Sequence, residues 1–187
     1  MSTTKAEQQQ SEFLDWYRPL HAQFLRYCDS RCIGLDSAED LVQDAILSAL
    51  ESWDKLKDKD KLLAYMIGIV NNQLRNRLRS KAVHQRYLEN RRRQLTDRLE
   101  SKPELVLDLE YFLNAMDDLP EAQREALLLQ AVSGFSIERI AKIQQASPAA
   151  VKTRISRARK QLRQLVAADS QPTSLNQRLL TFSSILL

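Results

Sequence analysis

Two cysteines and two histidines are all the thiols and imidazoles this chain has. Cys28 and Cys32 stand four apart, which on a helix puts both thiols on one face, and His21 lies one or two turns upstream. That makes three ligands where a structural zinc site needs four, and His84 is far away in sequence. Two reduced thiols in a helix is the simpler reading, and neither metal nor cofactor is expected. No Ser-His-Asp or Cys-His set, carboxylate pair or metal triad can be assembled. Glycine occurs only at 34, 68 and 134, which removes phosphate-cradling loops, dinucleotide fingerprints and nucleophile elbows. An enzyme is therefore not expected.

Recognition chemistry is better supplied. Asn72 and Asn76 stand four apart among Arg75, Arg77 and Arg79. Asparagine is a poor helix former, so two on one helical stripe suit base edges, with the arginines on phosphates. A second basic group comprises Lys152, Thr153, Arg154, Ser156, Arg157, Arg159, Lys160 and Arg163. Asp40, Asp44, Leu47 and Glu51 recur at i, i+4, i+7 and i+11 as an acidic stripe. The net charge of +4 is split into blocks: −1 over 1–80, +4 over 81–102, −6 over 103–135 and +7 over 136–187. Such alternation points to more than one kind of partner, against the plainer reading of solvated helix faces.

Helices have to position these groups. Apolar residues recur every three or four positions almost throughout the 187 residues. Residues 11–32 read as one amphipathic stretch carrying Phe13, Trp16, Tyr17, Leu20, Phe24 and Tyr27, ended at Gly34. Asp36-Ser37 ahead of Glu39 and Asp40 resembles a capping box for a helix to about Trp53, which is assigned to the core. A charged loop, Lys55 to Lys61, precedes a helix from about Leu62 past Ser80. Its inward side is Leu63, Met66, Ile67, Val70, Leu74 and Leu78.

Residues 81–102 hold no glycine or proline and read as a basic helical connector. Beyond Pro103 a second unit begins. Its last two helices, 136–143 and 148–165, form a helix-turn-helix with Ser147 as cap and Pro148 in the first turn. The expected fold is all-α: two small helical domains joined by a basic helical linker. Residues 1–10 form a disordered N-terminus, 11–81 the first domain, 82–103 the linker, 104–167 the second domain and 168–187 a tail. In that tail Leu175, Leu179, Phe182 and Leu186 leave open either a short docking helix or disorder. No apolar run approaches the ~20 residues of a membrane span, so a cytoplasmic protein without membrane contact is expected.

A family resemblance adds to this. Leu119 to Leu162 carries Leu119-Pro120 before Arg124, then Gly134, Ile140-Ala141, Val151-Lys152-Thr153-Arg154 and Arg157-Ala158-Arg159. It resembles the C-terminal DNA-binding domain of bacterial extracytoplasmic-function (ECF) sigma factors. AEDLVQDAI (Ala38 to Ile46) is similar to the family's core-polymerase-binding helix, and AYMIGIVNNQLRNRLRSK (Ala64 to Lys81) to its promoter-melting, minus-ten helix. The three matches come in the family's order and span about 13–165. Asn76 stands where the family usually has Asp, and Ala150 where Thr often opens the recognition helix.

The resemblance implies an alternative sigma factor that binds RNA polymerase core and directs promoter-specific initiation, with 11–81 as region 2 and 104–167 as region 4. It implies that Asp40, Leu41, Gln43, Asp44, Leu47 and Glu51 dock on the β′ clamp coiled coil, and that the β flap is a further polymerase contact. Minus-ten contacts would come from Lys59, Lys61, Tyr65, Asn72, Arg75, Asn76, Arg77 and Arg79. Minus-thirty-five contacts would come from Ser147, Lys152, Thr153, Arg154, Arg157, Arg159 and Lys160. An anti-sigma factor or other regulator is also an implied partner. The run Arg91-Arg92-Arg93 either follows template strand or is a solvated linker. The competing function is an ordinary helix-turn-helix regulator that is not a polymerase subunit.

Overall fold

A computed structural model describes residues 2–33, 38–78, 81–98 and 103–167, with positions 177 and 180. The expectations for Gly34, Asp36-Ser37, Arg79 and nearly all of the tail lie outside the described residues. Among the described residues every element is helical.

Helix α1 spans Ser2–Tyr17, so residues 2–10 are helical where the sequence predicts disorder. No glycine or proline interrupts 2–17, and Ala, Glu and Gln favour helix. Gln9 Nε2 also donates to the Leu50 carbonyl at 3.1 Å, near the end of the third helix, where carbonyls lack intrahelical partners. Pro19 then divides what reads as one stretch: a 3-10 turn, Arg18–Leu20, separates α1 from α2 (His21–Cys32). Trp16 falls on the outer side and stays exposed, whereas Phe13, Tyr17, Phe24 and Tyr27 are buried.

Helix α3 (Ala38–Glu51) packs Leu41, Val42, Ala45 and Ala49 against α2 and α4 (Leu62–Arg77). Trp53, in a 3-10 turn after α3, lies edge-on to Phe13 with centroids 5.4 Å apart, and Phe13 stacks on Tyr17. Cys28 and Cys32 are free and buried. Burial pushes both thiols up, Cys32 to about 12, so they stay protonated.

Helix α5 (Lys81–Arg98) leads to α6 (Pro103–Asp117), on which it packs. Then follow α7 (Glu121–Ala131), α8 (Ile137–Ile143) and α9 (Pro148–Ala167). Gly134 turns the chain into α8 with φ +72°. Helix α9 is the centre of this half, contacting α6, α7 and α8. Ile140, Ala141, Val151, Ile155 and Leu162 are buried where the helix-turn-helix pattern requires.

The two halves touch. Arg31 of α2 pairs with Glu121 of α7 at 2.9 Å, and Arg26 and Gln23 donate to the carbonyls of Ser133 and Gly134. Asn71 of α4 donates to Glu125 at 2.5 Å, and Lys142 lies 3.9 Å from Asp60. No helix among the described residues is long and apolar enough to cross a membrane.

Candidate polymerase and nucleic-acid interfaces

The acidic face of α3 holds its shape because the opposite side of the helix is the core. Asp40, Gln43, Asp44, Leu47 and Glu51 are all exposed, and Leu47 has 58% of its surface in solvent. Leu41 does not belong with them: it is fully buried, one turn from Ala45 on the inward side, and cannot meet a partner without unfolding. Asp44 accepts from Gln73 at 3.4 Å and lies 3.9 Å from Arg77, so the acidic face borders the basic edge of α4.

On α4, Asn72, Arg75, Asn76 and Arg77 are exposed, while Leu63, Met66, Ile67, Val70 and Leu74 fill the core. Tyr65 is part-exposed and its hydroxyl donates to Ser52 Oγ at 3.0 Å. Lys59 is engaged within the fold. Its Nζ donates to the Trp53 carbonyl at 2.6 Å and sits 3.7 Å from the indole centroid, fastening the loop to the core. Lys61 is exposed beside Asp58. A cleft of about 540 Å³ separates Tyr65, Gly68, Ile69 and Asn72 from Lys142, Ile143 and Gln145 of the second half.

Helix α9 presents Lys152, Thr153, Arg157 and Lys160 to solvent. Ser147 Oγ accepts from the Ala150 N–H at 3.1 Å, so this residue caps the helix, and Thr153 Oγ1 donates to the Ala149 carbonyl. Arg154 and Arg159 are half-buried. Arg154 Nη1 donates to Gln144 Oε1 at 2.7 Å, and Arg159 Nη2 donates to Gln130 Oε1 at 3.3 Å.

The three linker arginines have separate fates. Arg91 is buried, donating to Asp117 at 2.6 Å, to Asn114 and to Tyr87, whereas Arg92 and Arg93 are exposed. It ties α5 to α6 and is out of reach of a template strand. Phase carried the signal: Tyr87, Arg91 and Leu95 lie four apart, and Leu95 is in the core. Asn71 and Glu125, which link the halves, and Gln144, which continues the line inside the second half, carry no comparable mark.

Comparison with known proteins agrees with this arrangement of elements. The sigma-70 region 2 family matches residues 16–83, and the sigma-70 region 4 family matches 109–162. The chain is 36% identical over 136 residues to the ECF RNA polymerase sigma factor EcfG of Rhodopseudomonas palustris, covering 72% of this chain and 74% of that protein. It is 31% identical to the RNA polymerase sigma factor CarQ of Myxococcus xanthus, covering 69% and 74%. Among solved structures, the sigma factor RpoE of Bartonella quintana, in complex with the anti-sigma factor NepR, aligns with TM-score 0.52 and 28% identity over 83% of this chain and 99% of that one. CnrH, in complex with the cytosolic domain of CnrY, shares the fold with TM-score 0.57 and 24% identity over 88% and 96%. None of these favours a regulator that works apart from polymerase. With both regions in order, the chain belongs to the ECF sigma factors and is an alternative sigma factor that directs transcription initiation by RNA polymerase.

Proposed function

We propose that the work of this sigma factor is divided among three surfaces, none of which performs covalent chemistry, and that it acts in the cytoplasm. The exposed face of α3, with Asp40, Gln43, Asp44, Leu47 and Glu51, docks on the basic β′ clamp coiled coil. The outer side of α4, with Asn72, Arg75, Asn76 and Arg77, reads and holds the minus-ten strand. The solvent face of α9, with Lys152, Arg154, Arg157 and Lys160, enters the major groove of the minus-thirty-five element, and the second domain also meets the β flap.

The observation that carries this reading is Leu47, an apolar side chain left in solvent at the centre of an acidic face whose other apolar residues are buried or half-buried. A central apolar anchor ringed by charge suits an interface hot spot. Leu47→Ala should weaken binding to core polymerase by about 30-fold, ~2 kcal/mol, with the melting temperature unchanged. Unaltered binding and promoter-dependent transcription would remove α3 as the docking face.

Closure of the halves bears on regulation. Minus-ten and minus-thirty-five elements lie about 25 base pairs apart, roughly 85 Å at 3.4 Å per step. With Lys142 only 3.9 Å from Asp60, the closed chain cannot occupy both, so the halves must part on polymerase. An anti-sigma factor of the kind bound to the Bartonella relative would restrain this protein by favouring the closed pair.

A further inference from the structure

One line of hydrogen bonds runs from the core of the first half to the recognition helix. Tyr27 Oη donates to Asn71 Oδ1 at 2.8 Å, and Asn71 Nδ2 donates to Glu125 Oε2 at 2.5 Å. The other carboxylate oxygen, Glu125 Oε1, accepts from Gln144 Nε2 at 3.0 Å, which also donates to the Ala122 carbonyl at 3.0 Å. Gln144 Oε1 accepts from Arg154 Nη1 at 2.7 Å. The Gln144 amide has only one workable orientation. Flipped, its oxygen would face a carboxylate and a carbonyl, and its NH₂ would face a guanidinium. Its backbone is fixed as well, since its N–H donates to the Ile140 carbonyl at the end of α8.

We propose that Gln144, anchored by Glu125, is a positioning residue for minus-thirty-five readout. It holds the Arg154 guanidinium by Nη1 and leaves the Nε/Nη2 edge for a base. Such an edge makes the bidentate contact that arginine gives guanine O6 and N7. A long side chain loses much rotamer freedom when fixed, so fixing it before DNA arrives strengthens discrimination. Glu125, Gln144 and Arg154 all lie in the second half, so the line survives separation of the halves and only the Asn71 bond is lost. The inference rests on the proposed reading of α9 as the recognition helix.

The test uses the full chain with core polymerase on promoters randomised over the minus-thirty-five element. Gln144→Ala should lower preference about tenfold at a single position, the same one that Arg154→Ala flattens. The double variant should be no more permissive than Arg154→Ala, because the two residues act as a unit. Glu125→Gln keeps an oxygen for Gln144 and should retain most of the preference. Salt dependence, set by phosphate contacts, should not change in Gln144→Ala. A Gln144→Ala profile matching wild type, or a uniform fall over the whole library, overturns the proposal. Failure of the wild-type chain to initiate on any promoter overturns the reading of α9 first and this inference with it, before any variant is compared.

Discussion

The two helices proposed to face DNA, α4 and α9, are supported by different physics. The first half has an aromatic core in which Phe13, Tyr17, Phe24 and Trp53 meet edge-on or stacked, with Tyr27 buried as well. Trp53 also anchors the loop before α4 through Lys59. Behind α9 the core is mainly aliphatic, with Ala126, Ala141 and Ala158 allowing close helix approach. Its Arg154 and Arg159 are set by single polar contacts from Gln144 and Gln130. The first half is thus held rigid by apolar area, while the second is adjusted by hydrogen bonds. Truncation should therefore unfold one half and retune the other.

Trp53→Ala carries the largest expected cost, about 3–5 kcal/mol, because it removes a fully buried indole that packs on Phe13 and releases Lys59. Denaturant unfolding followed by circular dichroism should then show an early transition for the first half and an unshifted one for the second. A single transition moving as a whole would show that the halves do not differ in this way. Arg91→Ala comes next. It strips the guanidinium from Asp117, Asn114 and Tyr87, but Asp117 keeps Arg124 and some solvent, so about 2–3 kcal/mol is expected. Arg91→Met, which fills the space without charge, should cost less in the same melts, and equal losses would mean that pairing and not packing fixes α5.

A smaller effect of opposite sign is expected in the helix-turn-helix. Gln145 has φ +48°, the left-handed region that side chains disfavour. Gln145→Gly should stabilise the second half by roughly 0.5–1 kcal/mol, the relief of strain being partly offset by glycine's freedom in the unfolded chain. A lowered melting temperature for the second half would show that the Gln145 side chain contributes more than its backbone costs.

Periodicity revealed what periodicity controls. Three- and four-residue spacing placed Trp53, Leu74, Ile140 and Leu162 in the core, and Ser147 with Pro148 marked the start of α9. Helical phase, residue by residue, decides the exceptions: Leu41 faces inward with Ala45, and Arg91 follows Tyr87 and Leu95. The seat of Lys59 has another origin, since only the folded loop brings it over Trp53. Contacts between the halves left no trace at all. Arg31 and Glu121 are 90 residues apart and look like ordinary surface charges, and Asn71 and Glu125 look like ordinary surface polar groups.

That Arg31–Glu121 pair supplies the smallest expected effect and tests whether the halves separate as units. Burial alone would raise the Glu121 carboxyl, but Arg31 and Arg124 outweigh it and hold it below the ordinary carboxylate range. A depressed carboxylate contributes fully above its unfolded pKa of ~4.3 and loses that contribution as pH falls through the lower folded value. Glu121 is 43% exposed, so the pair is worth about 0.5–1 kcal/mol. Small-angle scattering should therefore show the chain expanding as pH falls below about 4, before either half loses helicity. Glu121→Gln should expand the chain slightly at neutral pH and blunt the acid response. Expansion and helix loss at the same pH would mean that the two halves unfold together and that no separable latch joins them.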